Sequence, residues 1–155
     1  MKFDKIIFLD IDGVLRTFKS DLEWSKLLNK PVFKDFERRF DPKSASIINE
    51  ISHYTRAKIV ISSNWRIKLS LDKLKQIFRK NGIYVEIVGK LDIFASRGEE
   101  IRYWLDNNQT NNYIVIDDQI SDIVKHIPKD RIIKVDSKIG LTEDYYIEEI
   151  IDRLI

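Results

Sequence analysis

The feature that most constrains the fold is a short apolar run near the start of the chain. Ile6 to Leu9 is wholly apolar and is ended abruptly by Asp10 and by Asp12-Gly13. A run of this kind, stopped by small polar residues, is typical of a strand buried on both faces of a parallel sheet. In open α/β sheets, ligands bind beyond the carboxyl ends of the strands. The two aspartates are therefore predicted to lie where the chain carries out its chemistry.

Similar strand patterns alternate with helical patterns along the rest of the sequence. Four further strands are predicted, at Ile59 to Ile61, Tyr84 to Val88, Tyr113 to Ile116 and Arg131 to Val135. Helices are predicted from Asp41-Pro42, at Leu71 to Phe78, from the Ser96 capping box, near Ile120 to His126, and from Gly140 to Leu154. This alternation predicts a Rossmann-like three-layer α/β/α fold with a five-stranded, mainly parallel sheet.

The chain has room for one domain of ordinary size. It has 155 residues, and no Pro-rich or Gly-rich linker divides it. Residues 16–40 fit neither the strand nor the helix pattern well. We predict that they form a small cap or flap insert in a single domain that spans residues 1–155.

Cysteine is absent and the charge is nearly balanced, with 27 Lys and Arg against 25 Asp and Glu. Disulfides, zinc-thiolate sites and cysteine nucleophiles are excluded, so a metal must bind oxygen or one of the two histidines. The composition suits a reducing compartment, and we expect a cytoplasmic protein. The longest apolar run, about four residues, is far short of the roughly 20 needed to cross a bilayer, so no membrane partner is predicted.

Polar residues capable of chemistry follow three of the predicted strands. They are Asp10 and Asp12 after the first strand, Ser62 and Ser63 after the second, and Asp117 and Asp118 after the fourth. If these strands are neighbours, two aspartate pairs face one pocket. Like charges within about 4–6 Å oppose each other's ionisation. A hard divalent cation relieves this repulsion, and Mg²⁺ is the expected ion for carboxylate and water ligands.

Three segments, in order, resemble the motifs of the haloacid dehalogenase (HAD) superfamily. The segment Phe8 to Leu15 is similar to its first motif, Ile59 to Ser62 to its second, and Ile114 to Asp118 to its acidic fourth motif. Shorter segments resemble the small HAD domains of nucleic-acid repair proteins related to polynucleotide kinase-phosphatase. These are Ser62 to Arg66, Arg97 to Ile101 and Gly140 to Thr142.

The resemblance implies a Mg²⁺-dependent phosphatase. Asp10 would be the nucleophile that forms an aspartyl phosphate, and Asp12 the general acid and base. Mg²⁺ would be held by the Asp10 carboxylate, the Asp12 backbone carbonyl and the fourth motif. Within that motif, we expect Asp118 to bind the metal directly and Asp117 to support the site without direct contact to the metal.

The substrate phosphate needs hydrogen-bond donors and positive charge. Ser62 and Ser63 offer donors, and Arg66 is a second predicted phosphate contact. The family's third motif is a Lys or Arg near the start of the helix before the fourth motif, and both Lys90 and Arg97 satisfy this description. We favour Arg97, because a cation in the first turn of a helix opposes the helix dipole unless an anion lies beside it.

Larger members of the family insert a whole domain that closes over small metabolites, whereas the insert here is only residues 16–40. The resemblance therefore implies an open site, which suits a bulky phosphorylated substrate. A nucleic-acid end is the preferred substrate, and a nucleotide or a phosphoprotein stays an alternative.

One alternative function is a catalytically silent HAD-like binding domain. Such a domain would be expected to lack an acidic residue of the pocket, and none is missing here. Another is a receiver-type signalling module, but such modules carry their acidic pair on the first strand and their phosphorylated aspartate on a later one. The order of acidic motifs here is the reverse.

Overall fold

The computed structural model describes residues 1–32 and 39–155 of the chain. Its five strands are β1 (Lys2–Leu9), β2 (Lys58–Ile61), β3 (Ile87–Lys90), β4 (Gln109–Asp117) and β5 (Ile132–Lys134). Its helices are α1 (Phe18–Leu28), α2 (Pro42–Thr55), α3 (Trp65–Lys68), α4 (Leu71–Lys80), α5 (Arg97–Asn107) and α6 (Tyr145–Leu154). Across these two ranges, none of the helices combines the length and the apolar character that crossing a membrane requires.

The strands form one all-parallel sheet in the order β3-β2-β1-β4-β5. Alternate side chains of each strand point to opposite faces of the sheet. Ile7 and Leu9 of β1 pack in a core with α2, α4 and α6, whereas Ile6 and Phe8 pack in a second core with α5. The predicted three-layer, Rossmann-like fold with a five-stranded sheet is therefore confirmed, and the sheet is parallel throughout.

The helices begin at the polar caps that the sequence indicates. Asp41 accepts a hydrogen bond from the Lys43 amide at 2.9 Å, and a proline follows it as the first residue of α2. Ser96 caps α5 through the Glu99 amide. These side chains pair amide groups that the first helical turn leaves without a partner, which is why the elements begin where the pattern predicts.

The strand register brings the ends of three strands to the same level. Leu9 of β1 pairs with Ile61 of β2 on one side and with Ile116 of β4 on the other. The next residues, Asp10, Ser62 and Asp117, therefore lie side by side at the carboxyl edge of the sheet. The direction of chain winding reverses between β1 and β4, and this is where open α/β sheets form their ligand crevice.

Several element boundaries differ from the sequence prediction. β1 and β4 begin at Lys2 and Gln109, each four residues before the predicted strand. β3 begins at Ile87 rather than Tyr84, because the Tyr84 amide donates to the Asn49 side chain at 3.0 Å and not to a neighbouring strand. The predicted helix at 120–126 is only a 3₁₀ turn, Ile123–Lys125. α6 begins at Tyr145, because the segment before it instead packs on the turn after β1, where the Leu141 amide donates to Val14.

The insert region contains one helix that the sequence pattern did not predict. α1 is started by a capping box between Thr17 and Ser20. Much of its apolar surface faces solvent, with Leu27 74% exposed, so the helix lacks the strong apolar periodicity by which helices are recognised in sequence. Residues 33–38, which belong to the predicted insert 16–40, lie outside the described part of the chain. That residues 16–40 act as a cap stays a prediction.

Candidate active site

Three carboxylates meet at the carboxyl edge of β1 and β4. Asp10, Asp117 and Asp118 each place a carboxylate oxygen within 4.8 Å of those of the other two. Asp10 extends the β1 pairing through an amide hydrogen bond to Ile116 at 3.2 Å and is only 5% exposed. Asp117 is fully buried, and Asp118 is half-buried. We call these three residues the acidic cluster.

The acidic cluster resists full ionisation. Burial, followed by the negative charge of Asp117, raises the pKa of Asp10 to about 9, although the nearby Arg97 acts in the opposite direction. Burial also raises the pKa of Asp117 above its ordinary value. Groups placed in this way need additional positive charge to ionise together at neutral pH.

Arg97 is the cation that the fold brings to the acidic cluster. It is the first residue of α5, and its Nη1 donates to Asp117 Oδ2 at 2.7 Å and lies 3.6 Å from Asp10 Oδ2. Its Nη2 donates to Asn64 Oδ1 at 3.0 Å. Burial lowers the pKa of Arg97, but the charges of Asp10 and Asp117 raise it and the net shift is upward. One permanent positive charge thus faces three carboxylates.

Lys90, the other candidate for the third motif, makes different contacts. Its Nζ donates to the backbone carbonyls of Arg66 at 3.1 Å and of Leu69 at 3.0 Å. These carbonyls belong to the C-terminal end of α3, where a cation is favourable. The structure brings Arg97, and not Lys90, to the acidic cluster.

Arg66 is buried behind the loop that follows β2. It forms an ion pair with Glu100 and donates to the carbonyls of Ser62 at 2.8 Å, Ser63 at 3.0 Å and Leu91 at 3.2 Å. These contacts use the guanidinium to hold the loop in place. Arg66 is absent from the lining of the cleft at the acidic cluster but lines a neighbouring pocket that shares Asn64 and Arg97 with it. Its contact with a substrate phosphate stays a prediction.

The two serines after β2 lie beside the acidic cluster in different states. Ser62 is fully buried, and its Oγ has no hydrogen-bond partner among the described residues. An unpaired buried hydroxyl is costly and therefore rare. Ser63 lines the cleft, and its Oγ accepts a hydrogen bond from the Trp65 amide at 3.2 Å. Ser62 does not line the cleft, so its contact with a substrate phosphate stays a prediction.

The turn after β1 presents Asp12 and makes room for Asp118. The amides of Val14, Leu15 and Arg16 all donate to the carbonyl of Ile11, at 3.1, 2.8 and 3.2 Å, which closes a tight turn. Gly13 within it has φ +85°, and a Cβ there would lie 2.3 Å from Asp118 Oδ2. The glycine is thus required both by its backbone conformation and by the close approach of the carboxylate.

The acidic cluster opens into a cleft of about 580 Å³. Asp12 lies exposed in this cleft, and its Oδ2 accepts a hydrogen bond from Trp65 Nε1 at 2.9 Å. The start of the insert region forms another wall, through Arg16, Thr17, Phe18 and Asp21. Phe18 is 72% exposed at this position. The cleft is therefore larger than a phosphate group and has an aromatic ring on its lining.

The residues present fit a hard divalent cation. Every donor in the acidic cluster is a carboxylate oxygen, and Arg97, the one cation that contacts the cluster among the described residues, cannot balance three carboxylates. Oxygen ligands with excess negative charge are what Mg²⁺ prefers in proteins. The Gly13 contact also shows that the backbone is shaped to admit the Asp118 carboxylate.

Two residues of the site had no assigned role in the sequence analysis. Asn64 accepts a hydrogen bond from Arg97, and Trp65 donates one to Asp12. The available signal was their position directly after Ser62-Ser63, within a segment that resembles repair-protein domains. The sequence did not show that this segment would touch residues on two other elements.

The comparisons with known proteins agree with this geometry. A family model described as the HAD domain in Swiss Army Knife RNA repair proteins matches residues 6–146, a range that contains the acidic cluster and Arg97. No match was found among curated proteins or among solved structures. Since the model covers most of the sequence, the chain belongs to the family of HAD domains found in Swiss Army Knife RNA repair proteins.

Proposed function

We propose that this domain is a Mg²⁺-dependent phosphatase that acts on phosphorylated nucleic-acid ends through an aspartyl phosphate at Asp10. The observation that carries the proposal is the meeting of the Asp10, Asp117 and Asp118 carboxylates within 4.8 Å of one another beside Arg97. The family's description as a domain of RNA repair proteins supports the choice of a nucleic-acid end as substrate.

The two aspartates of the first motif suit two different tasks. Asp10 is buried at the end of β1, where its carboxylate attacks phosphorus and forms a P–O bond. Asp12 is exposed in the same cleft, where it gives its proton to the departing oxygen and later takes one from the water that hydrolyses the aspartyl phosphate. This division follows the family's first motif rather than burial, since burial by itself favours the protonated form of Asp10.

The two aspartates of the fourth motif have different partners, one the metal and the other Arg97. Both oxygens of Asp117 are already engaged, Oδ2 by Arg97 at 2.7 Å and Oδ1 by the Gln119 amide at 3.0 Å. Asp118 instead lines the cleft. We therefore assign Asp118, with Asp10 and the Asp12 carbonyl, to Mg²⁺, and Asp117 to the orientation of Arg97. The bound ion would supply the charge that keeps Asp10 ionised and that neutralises the phosphate oxygens.

Donors for the phosphate oxygens surround the same point. Arg97 lies 3.6 Å from Asp10, so a phosphoryl group attacked by Asp10 would come within reach of its guanidinium. The Ser63 hydroxyl on the cleft lining adds a neutral donor, whereas the Ser62 hydroxyl has no partner among the described residues but is fully buried. Donors preorganised in this way stabilise the negative charge that develops in the transition state.

The shape of the cleft favours a substrate larger than phosphate alone. Phe18 lines the cleft, and every nucleobase offers a face that can pack against an aromatic side chain. A phosphoserine or phosphothreonine side chain has no comparable face. This arrangement supports a nucleotide unit next to the reacting phosphate.

The test is phosphate release from RNA and DNA oligonucleotides phosphorylated at the 3′ or 5′ end, from free nucleotides and from p-nitrophenyl phosphate. Wild type with Mg²⁺ should be active, and EDTA or Asp10→Asn should abolish activity. Asp106→Asn, an exposed carboxylate on α5, is the matched control and should behave as wild type. Equal rates for wild type and Asp10→Asn would refute the mechanism. Metal binding without turnover of any phosphate ester would favour the silent binding domain.

Phe18→Ala tests the substrate assignment separately. Base stacking is worth about 1–3 kcal/mol, so kcat/KM for the oligonucleotide should fall about tenfold while that for glycerol 2-phosphate, a phosphate ester without an aromatic ring, stays unchanged. Leu27→Ala, which removes an equally exposed apolar side chain of α1 that does not line the cleft, is the control. Equal losses on both substrates would contradict a stacking role.

A further inference from the structure

Trp65 makes a contact with the first motif that the proposed mechanism does not yet use. Its indole Nε1 donates to Asp12 Oδ2 at 2.9 Å. The two residues lie 53 positions apart in the sequence and on different elements, since Trp65 is the first residue of α3 and Asp12 lies in the turn after β1. The contact therefore exists only in the folded chain.

The indole ring is held firmly by its other neighbours. Its centroid lies 5.9 Å from that of Phe40, and the Arg16 guanidinium lies 5.7 Å above it. Its backbone amide donates to Ser63 Oγ at 3.2 Å. Arg16 and Phe40 are the first and last residues of the insert region, so the ring packs between both ends of that segment and the loop after β2. The hydrogen bond to Asp12 is made by a group of fixed position.

Asp12 has no comparable support from burial. Its carboxylate is exposed in the cleft, where an aspartate side chain would ordinarily move among its rotamers. A general acid must lie within hydrogen-bond reach of the oxygen that it protonates, and misplacement of a catalytic group by about 1 Å is costly. A rigid donor on Oδ2 restricts the carboxyl group and leaves Oδ1 for proton transfer.

We propose that Trp65 is a positioning residue for Asp12, whose indole N–H holds the carboxyl group in the orientation needed to protonate the leaving oxygen. This inference rests on the proposed phosphatase function. Trp65 itself touches neither the phosphate nor the metal in this scheme. Its contribution should therefore depend on how strongly the leaving group needs a proton.

The leaving group provides a readout that a purely structural role would not affect. The hydroxyl of a nucleotide must be protonated as it leaves, whereas p-nitrophenolate is stable as an anion. Trp65→Phe keeps an aromatic ring against Phe40 but removes the N–H together with the pyrrole part of the indole, and Trp104→Phe removes the same atoms elsewhere. We expect kcat/KM, which includes leaving-group departure, to fall about tenfold for the phosphorylated oligonucleotide and less than twofold for p-nitrophenyl phosphate. Trp104→Phe, whose indole packs on Phe3 and Phe8 in the other core, should leave this ratio unchanged.

A double-mutant cycle tests whether Trp65 acts through Asp12. In an Asp12→Ala background, Trp65→Phe should cause no further loss on the oligonucleotide substrate, because its target is gone. Independent losses that multiply would overturn the inference. Equal losses on both substrates in the single variant would also overturn it, since they would indicate a general disturbance of the site, which thermal melting of the same variant would reveal.

The contact can also be tested without any activity. The three tryptophans give three indole N–H signals in a ¹⁵N-correlated NMR spectrum, and Trp65→Phe identifies one of them. Asp12→Asn should shift that signal and leave the Trp104 signal in place, while an unmoved signal would refute the hydrogen bond. If wild type hydrolyses no phosphate ester but the signal shifts, the proposed function fails and the contact stands. If wild type is active and Trp65→Phe equals it on both substrates, the positioning role alone fails.

Discussion

Two buried arginine–carboxylate groups lie side by side in this protein, and they differ in charge balance. Both connect α5 to the loop after β2. In one, Arg66 is paired with Glu100, and in the other Arg97 lies among Asp10, Asp117 and Asp118. The first is balanced, one charge against one, and the second leaves an excess of negative charge.

The balanced pair satisfies its hydrogen-bonding groups within the protein. The Arg66 and Glu100 side chains are 4% and 1% exposed. Beyond the pair itself, Arg66 donates to three backbone carbonyls, and Glu100 Oε2 accepts the amides of Phe94 and Ala95 at 2.8 and 3.1 Å. Buried charges that are paired and fully hydrogen-bonded hold segments of chain in place.

The acidic cluster, in contrast, is incomplete. Asp10 has a strongly raised pKa, and the neighbouring Ser62 hydroxyl has no partner among the described residues. Buried groups of this kind cluster at functional sites, because the ligand completes what the protein leaves unsatisfied. The comparison shows that burial of an arginine does not by itself indicate a phosphate site, and that the unmatched charge is the informative feature.

Breaking the balanced pair should have the largest effect on stability. Glu100→Gln leaves Arg66 buried without a counter-charge, and we expect a loss of about 3–5 kcal/mol in the free energy of unfolding measured by urea titration. Asp106→Asn, which removes an exposed ion pair of the same helix, should cost less than about 1 kcal/mol. A loss below about 1 kcal/mol for Glu100→Gln would show that the pair is not structural.

Removing the cation of the acidic cluster should instead affect catalysis. Arg97→Ala is expected to lower kcat/KM by about 10²–10³-fold, because it removes a donor to the phosphate in the transition state. Its effect on urea unfolding should be smaller than that of Glu100→Gln. Lys90→Ala should keep most of the activity, since its Nζ is bound to carbonyls at the end of α3. A larger loss of activity for Lys90→Ala would exchange the two assignments.

The smallest expected effect concerns pH. Burial and Asp117 raise the pKa of Asp10 from 3.8 to about 9. Between these two pH values the Asp10 carboxyl is protonated in the native state and ionised in the unfolded state. The free energy of unfolding should therefore fall as pH rises from 5 to 9 in EDTA. Asp10→Asn cannot ionise, so it should be more stable than wild type at pH 8 and nearly equal to it at pH 5.

Mg²⁺ should reverse this difference, because it binds the ionised form of wild type and stabilises it. Thermal melting of both proteins at pH 5 and pH 8, with and without Mg²⁺, measures the effect. If the melting temperatures of wild type and Asp10→Asn depend on pH in the same way over the whole range, the pKa of Asp10 is not raised in the folded protein.

Much of the fold was predictable because its signals are local. Five apolar runs and their polar ends mark the strands, and the caps at Asp41 and Ser96 mark helix starts. Two of the errors lie where a distant contact decides the boundary. Asn49 binds the Tyr84 amide and delays β3, and Val14 binds the Leu141 amide and delays α6. α1 was missed because its apolar residues are largely exposed.

The sequence by itself determined the family and the acidic residues of the site. Asp10, Asp12 and the Asp117-Asp118 pair follow apolar strands directly, and a parallel sheet must gather such strand ends at one edge. A side chain next to a strand end has little freedom in where it is placed. Local pattern therefore carries this part of the information.

Only the tertiary structure decided the partners of the long side chains. Arg97 reaches Asp117 across 20 residues, Arg66 reaches Glu100 across 34, and Trp65 reaches Asp12 across 53. Arginine and lysine side chains can extend in many directions, so their destinations depend on which elements the fold places around them. Arg66, Lys90 and Arg97 were all candidates for the phosphate in the sequence, whereas in the folded chain Arg66 holds a loop, Lys90 binds carbonyls at the end of α3 and Arg97 faces the acidic cluster.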